Sequence, residues 1–296
     1  MSGNEQMTEK PQLKAKDYKG SLPPVWCPGC GDFGVLSATQ RALAERQIAP
    51  EDVIFVSGIG CSSRFPHFMN AYGFHTVHGR ALPVAVGTKL VEPERKVIAV
   101  GGDGDGMAIG AGHFLHTARR NPDITYLMMD NEIYGLTKGQ ASPTSELGLK
   151  TKTTPYTNTE ASADQPLNPL ALAILAGATF VARTYSGKIK ELVDIIGQAL
   201  DHEGYAFVQC ISPCVTFNDI YEKARAGQTS LETDHDPTDK SAAFAAALGN
   251  PFLTGVFYKE TRQTLDAALE AQKANAGDKL DTGLSAVAQQ MLATAS

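Results

Sequence analysis

The sequence predicts a doubly wound α/β fold built on a mainly parallel sheet. The first observation is four short apolar runs, at 53–58, 97–102, 124–129 and 206–211, each bounded by Gly, Pro or charge. Runs that stay apolar at successive positions suit strands covered on both faces. The second is the stretches with helical patterning at 34–46, 108–119, 169–177 and 188–202. Strand–helix alternation is the signature of a sheet with helices on either side, whose ligands bind beyond the carboxyl ends of the strands.

The remaining segments divide the chain into three zones. Residues 1–20 are polar and read as an N-terminal arm. Residues 21–215 carry the α/β domain. Residues 216–296 are rich in Ala and charge, with helices expected at 234–247, 260–274 and 284–295, and read as a helical C-terminal extension. Neither an internal repeat nor a low-complexity linker interrupts these zones.

Bulk properties exclude several functions. The chain has 296 residues, of which 43% are hydrophobic and 20% charged, as expected of a globular protein. Its net charge of −6 argues against a nucleic-acid partner. A membrane span needs about eighteen or more consecutive apolar residues, and the sequence holds no such run. The first twenty residues lack the apolar core of a secretory signal, so a cytoplasmic location is expected. In that compartment clustered cysteines point to metal binding or catalysis rather than disulfides.

Four of the five cysteines fall in or beside loops. Cys27 and Cys30 form a Cys-x-x-Cys pair, Cys61 follows the strand at 53–58, and Cys214 follows the strand at 206–211. Cys210 lies inside that last strand and reads as a small buried hydrophobe. Four loop cysteines beside Gly and Pro suit an iron–sulfur cluster. Spacing alone leaves other readings open. They are unrelated free thiols, a zinc site lacking its second close ligand pair, or a redox dithiol at Cys27 and Cys30.

A second constellation spans two neighbouring strands. The strand at 97–102 runs into Gly102-Asp103-Gly104-Asp105-Gly106, and the strand at 124–129 into Asp130-Asn131-Glu132-Ile133-Tyr134. The glycines permit close backbone approach, and the next helix start offers free N–H groups to a phosphate. Asp103 and Asn131 supply the oxygen ligands that Mg²⁺ prefers. An isolated Gly-Asp-Gly is more simply an ordinary turn with a capping Asp103. The placement of Asn131 at the end of the next strand favours a diphosphate site.

With Asn131 following Gly102-Asp103-Gly104 after 26 intervening residues, the pair resembles the motif of thiamine diphosphate (ThDP) enzymes. The strings WCPGCGDFG, SGIGCSSR, HGRALPVAVGTKL, GGDGDGMAIG, DNEIYGLTKGQASPT and SPCVTFN together resemble the beta subunit of the 2-oxoacid:ferredoxin oxidoreductases. The match extends over residues 26–218. TKGQASPT leans toward the 2-oxoglutarate branch. The resemblance implies a fold of the ThDP diphosphate-domain type. It implies one [4Fe–4S] cluster on Cys27, Cys30, Cys61 and Cys214, and Mg²⁺ on Asp103, Asn131 and the Ile133 carbonyl. Gly102, Gly104 and Asp105 would line the diphosphate. The loop Gly58, Ile59, Gly60 and Cys61 would lie against the cofactor, as would Tyr134.

Lys138 and His78 are the candidate catalytic residues on this chain. Lys138 is poised for a distal substrate carboxylate, although an exposed loop lysine is more often only solvated. His78 shares a pocket role with His75 as the competing choice. His113 and His116, spaced three apart on a helix, lack a carboxylate partner and read as structural.

The chain carries one diphosphate domain and has no room for a full pyrimidine domain. The resemblance therefore implies an alpha subunit that supplies it, in an αβ or (αβ)₂ assembly. The implied reaction is oxidative decarboxylation of a 2-oxo acid with coenzyme A to acyl-CoA and CO₂. Electrons would leave through the cluster to ferredoxin, and the reverse carboxylation is open. Two alternatives stand beside it. One is a pyruvate or broad-range 2-oxoacid enzyme, and the other a non-oxidative ThDP decarboxylase or carboligase. A cysteine-only iron–sulfur or zinc protein would leave Asp103 and Asn131 without a purpose.

Overall fold

The computed structural model describes residues 12–152, 154 and 164–276. The strands are β1 (Val53–Ser57), β2 (Tyr72–His75), β3 (Lys96–Gly102), β4 (Ile124–Asp130), β5 (Ile133–Tyr134), β6 (Gln140–Ala141), β7 (Phe180–Tyr185), β8 (Ala206–Ile211), β9 (Thr229–Ser230) and β10 (Leu253–Lys259). The helices are α1 (Asp32–Glu45), α2 (Ala81–Val91), α3 (Asp103–Met107), α4 (Ala111–Arg120), α5 (Pro169–Ala176), α6 (Ile189–Asp201), α7 (Tyr221–Gly227), α8 (Lys240–Leu248) and α9 (Leu265–Ala276).

Eight strands form one sheet in the order β2-β1-β3-β4-β8-β7-β10-β9, and β5 and β6 make a separate hairpin. From β2 to β7 every pairing is parallel. Successive residues of each central strand enter opposite cores, as the two-residue period of a strand requires. Phe55, Ile98, Val100, Leu127, Met129 and Val208 face α1 and α6. Ile54, Val56, Val97, Ala99, Tyr126, Met128 and Phe207 face α2, α4, α5 and α8. Burial on both sides explains why these strands read as continuous apolar runs. Cys210 belongs to the first of these cores and is fully buried.

The expected elements fall close to the observed ones. Helix α5 starts with Pro169 and is capped by the Asn168 side chain, which accepts from Ala171 N at 3.0 Å. It stops at Gly177, whose φ of +92° is left-handed.

The C-terminal region differs from its expected all-helical character. It supplies α8 and α9, but also β10, which joins the main sheet antiparallel to β7. The run Leu-Thr-Gly-Val-Phe-Tyr-Lys mixes polar and apolar residues because only Phe257 and Tyr258, with Thr254, are buried. Helix α8 starts at Lys240 rather than 234 because the Asp239 carboxylate caps it, accepting from Ser241 N and Ala242 N. The helix expected at 284–295 lies outside the described residues. Asn121, left-handed at the end of α4, ties this region to the sheet. Its amide donates to the Arg262 carbonyl and accepts from Tyr205 N. Among the described residues, no helix is long and apolar enough to cross a membrane.

Candidate active site

The carboxyl ends of β1, β3 and β4, with the β5–β6 hairpin, enclose a cavity of about 460 Å³. Its lining includes Ile59, Gly60 and Cys61 after β1, Gly102 to Asp105 after β3, and Asn131, Ile133 and Tyr134 after β4. The expected ligand-binding end of the sheet is therefore where these residues meet. Gly58 borders the cavity through Asp105. A Cβ on it would come within 2.0 Å of Asp105 Oδ2.

Asp105 holds the rim together. Its buried Oδ1 accepts from Ile59 N at 2.9 Å and Gly79 N at 2.7 Å, and lies 2.9 Å from His78 Nδ1. The carboxylate thus ties the two loops together at the cavity wall. His78 lines the cavity with its ring 6.2 Å from that of Tyr134. The Tyr134 hydroxyl donates to the Gly104 carbonyl at 3.2 Å, and its ring leaves no room for a side chain at Gly104.

Asp103 is 1% exposed. Thr144 Oγ1 lies 2.8 Å from its Oδ2, and Asn131 N is a distant 3.4 Å from its Oδ1. Burial and the neighbouring Asp130 carboxylate both push the Asp103 carboxyl up. Burial also raises Asp130, and it raises Glu132 to about 8 with the Asp130 charge adding to the effect. Among the described residues no basic side chain is ion-paired with Asp103. A buried acid with hydrogen bonds but no ion-pair partner among the described residues, on a cavity wall beside the Asn131 amide and the Ile133 backbone, belongs to a donor set that fits a hard cation.

The cysteine loops are bonded to one another. Trp26 Nε1 donates to the Cys61 carbonyl at 2.7 Å, and Gly31 N donates to the Pro213 carbonyl at 3.1 Å. The Tyr221 hydroxyl donates to the Gly29 carbonyl at 2.9 Å. Cys61 Sγ and Cys214 Sγ converge on Gly135, lying 3.6 and 3.7 Å from where its Cβ would stand. All five cysteines are free thiols. Burial and Asp32 raise Cys61 to about 11, with Cys214 and Cys27 adding smaller effects. Burial, then Asp32, also drives the Cys30 thiol up. Burial and nearby negative charge outweigh the Arg64 charge that acts on Cys61, and favour the neutral thiols; a metal centre would draw them to thiolates. Cys27 is exposed. Among the described residues no group of three or more His, Cys, Asp or Glu side chains is already drawn together as a metal-ligand set.

Lys138 does not line the cavity, although Thr137 and Gln140 do. It is exposed, with a left-handed φ of +79°, on a turn closed by Gly139 N donating to the Tyr134 carbonyl at 2.8 Å. His75 is engaged locally, its Nδ1 3.0 Å from Ser57 Oγ and 2.9 Å from the Ser63 carbonyl. His113 and His116 lie on α4 away from the cavity lining. Sequence reasoning passed over Thr144, Asp130, Gln209 and Arg183, which sit behind Asp103. Thr144 lay in plain view within TKGQASPT, but nothing in a single sequence marks a hydroxyl that faces a carboxylate 41 residues away.

The family model described as "Thiamine pyrophosphate enzyme, C-terminal TPP binding domain" matches residues 58–210. The model for the C-terminal part of the pyruvate ferredoxin oxidoreductase beta subunit matches residues 214–274. The chain is 50% identical over 215 residues to the 2-oxoacid:ferredoxin oxidoreductase subunit beta of Saccharolobus solfataricus, covering 72% of this chain and 69% of that one. The chain belongs to the beta subunits of the 2-oxoacid:ferredoxin oxidoreductases.

The 2-oxoglutarate branch of that family is represented among its relatives. The 2-oxoglutarate oxidoreductase subunit KorB of Mycobacterium tuberculosis is 45% identical over 212 residues, 72% of this chain and 56% of that one. The structure of 2-oxoglutarate:ferredoxin oxidoreductase from Magnetococcus marinus, with 2-oxoglutarate, coenzyme A and succinyl-CoA bound, aligns with a TM-score of 0.87 at 42% identity. That alignment covers 97% of this chain and 98% of the other. This beta subunit is accordingly part of a 2-oxoacid-oxidising enzyme, has the thiamine-diphosphate-binding fold, and takes its place beside an alpha subunit. The expected fold class and family are thereby borne out.

Proposed function

We propose that this beta subunit, with its alpha subunit, oxidatively decarboxylates 2-oxoglutarate with coenzyme A and delivers the electrons to ferredoxin through one [4Fe–4S] cluster. The observation that carries this reading is the convergence at Gly135. The sulfurs of Cys61 and Cys214 and the Asn131 amide all lie within 4 Å of one point on the cavity wall. A redox centre held there adjoins the site of carbon chemistry, so that the electrons have only a short distance to travel.

Cys27, Cys30, Cys61 and Cys214 would hold the cluster. Asp103, Asn131 and the Ile133 carbonyl would hold Mg²⁺. Thiamine diphosphate, when bound, supplies the electron sink for loss of CO₂. The chain's own residues do the remaining work. Gly102 and Gly104 keep the phosphate side of the cavity open, Tyr134 covers it, and Gly58 to Cys61 bridge it to the cluster loops. Asp105 keeps Ile59, Gly79 and His78 in register. His78, on the cavity wall, is placed to exchange a proton with substrate. Lys138 projects from the turn beside Thr137 and Gln140, where it would meet the distal carboxylate of a dicarboxylic substrate.

The partner's pyrimidine-binding domain would close the open side of the cavity, in an αβ or (αβ)₂ assembly. We place the reaction in the cytoplasm. We keep the domain division at 20/21 and 215/216 with one qualification: β10 shares the main sheet.

The test is an anaerobic assay of the co-purified assembly with a panel of 2-oxo acids and a viologen acceptor. Reduction that requires coenzyme A and is fastest with 2-oxoglutarate is expected. Consumption of 2-oxo acid without reduction of the acceptor would instead indicate a non-oxidative decarboxylase or carboligase.

A further inference from the structure

Behind Asp103 runs a buried chain of polar side chains that the proposed reaction leaves without a role. Arg183 Nε donates to Gln209 Oε1 at 2.8 Å, and Gln209 Nε2 donates to Asp130 Oδ2 at 2.6 Å. Thr144 Oγ1 lies 3.0 Å from Asp130 Oδ1 and 2.8 Å from Asp103 Oδ2. All five side chains are at least nine-tenths buried.

Counting donors fixes the direction of each bond. A guanidinium only donates, so Gln209 must turn its carbonyl oxygen to Arg183 and its NH₂ to Asp130. Asp130 then has a donor on each oxygen, since Glu132 N also donates to its Oδ1 at 3.1 Å. Asp103 has the distant 3.4 Å approach of Asn131 N on Oδ1, and its carboxyl is bonded by the Ser142 and Thr144 hydroxyls. Thr144 Oγ1 lies nearer to Asp103 Oδ2 than to Asp130 Oδ1, at 2.8 against 3.0 Å, and Asp130 already has its two other donors, so the single Thr144 proton is best used on Asp103 Oδ2. That bond engages Oδ2 and leaves Oδ1 for the cavity.

We propose that Thr144 is a positioning residue that sets which oxygen of Asp103 meets the cation, and that the Arg183–Gln209–Asp130 chain aims its hydroxyl. The inference rests on the reading of Asp103 as a Mg²⁺ ligand. The turn carrying Thr144 is itself fixed. Ser145 N donates to the Ser142 carbonyl at 3.1 Å, and Ser142 N donates to Ser145 Oγ at 2.7 Å. At its far end, Arg183 Nη1 donates to the Asn250 carbonyl at 3.1 Å. The loop before β10 is thus coupled to the cation site.

The test measures the Mg²⁺ concentration needed for half-maximal thiamine diphosphate binding by the assembled full-length enzyme, using calorimetry at fixed cofactor. Thr144→Val keeps the side-chain shape and removes the hydroxyl. It should raise that concentration roughly tenfold or more, the scale of one hydrogen bond to a charged group. Thr144→Ser should restore the wild-type value. Gln209→Glu keeps the bond to Arg183 but removes the donor to Asp130, so it should shift the requirement in the same direction as Thr144→Val. A Thr144→Val enzyme that titrates like wild type overturns the proposal. So does an equal rise in the Ser and Val variants, which would mean that the residue only packs. Should wild-type cofactor binding prove independent of Mg²⁺, the reading of Asp103 fails and the inference with it.

Discussion

The indole nitrogen of Trp26 donates to the Cys61 carbonyl across 2.7 Å, joining the Cys-x-x-Cys turn to the loop that follows β1. Since Gly31 N is bonded to Pro213, the same turn is also held against the loop of Cys214. Three distant segments are thereby fixed as one unit at the edge of the cavity. Cys61→Ser should lower iron content and abolish electron transfer to a viologen acceptor. Cys210→Ser should do neither, because Cys210, within β8, is buried in the core that the sheet forms with α1 and α6. Iron analysis of the two variants side by side checks this, and equal loss in both would contradict the assignment.

Asp103→Ala should strip thiamine diphosphate while leaving iron in place. The variant removes from the cavity wall the carboxylate proposed to hold Mg²⁺, but touches none of the bonds that join the cysteine loops. Cofactor and iron contents of the same preparation give the answer. Full retention of the cofactor would show that the turn after β3 is only a turn.

Lys138→Ala should raise KM for 2-oxoglutarate far more than for pyruvate, which has no distal carboxylate. Loss of one hydrogen bond between charged groups corresponds to roughly a ten- to hundredfold fall in kcat/KM. Because Lys138 is exposed at the rim, the lower end is the better expectation. An equal fall for both substrates would assign Lys138 to the turn itself, whose φ of +79° a substitution also perturbs.

His202 gives the fold an acid-sensitive point far from the chemistry. Burial, with Lys259 contributing, lowers it to about 4, and its Nε2 lies 2.8 Å from Thr179 Oγ1. Its folded value is below the unfolded value of about 6.5, so protonation favours the unfolded chain. Its contribution is complete above pH ~6.5 and is lost as pH falls toward 4, on the order of 2 kcal/mol once solvent screening is allowed for. Denaturant unfolding of His202→Gln across this interval should show a flatter decline with acid than wild type. Parallel declines would rule out His202 as a source of the acid sensitivity.

How much of this was legible in the sequence depended on whether the signal was local. Strands β1, β3, β4 and β8 are apolar at nearly every position because helices cover both faces, and they stood out. Strand β7 is equally buried, yet its Arg183 and Thr184 broke the apolar run; the Arg183 guanidinium is satisfied by Gln209 and the Asn250 carbonyl, far away in the chain. Strand β2 lies at the sheet edge with all four residues exposed, and β10 is only partly covered, so neither carried a burial pattern. The cavity was legible because Gly102-Asp103-Gly104, Asn131 and the loop of Cys61 each lie at or just past the end of a strand that could be seen. Thr144, Gln209 and Arg183 were not, since their significance lies in contacts between residues far apart in the chain. The turning of Asp105 toward Ile59, Gly79 and His78 was hidden for the same reason.

The most direct test of the central claim is low-temperature EPR of the anaerobically purified assembly, frozen after mixing with 2-oxoglutarate and coenzyme A. A reduced [4Fe–4S] signal should appear only when the 2-oxo acid is present, and should be absent from the Cys61→Ser assembly treated in the same way. An assembly that consumes 2-oxoglutarate while its spectrum stays unchanged would contradict the account.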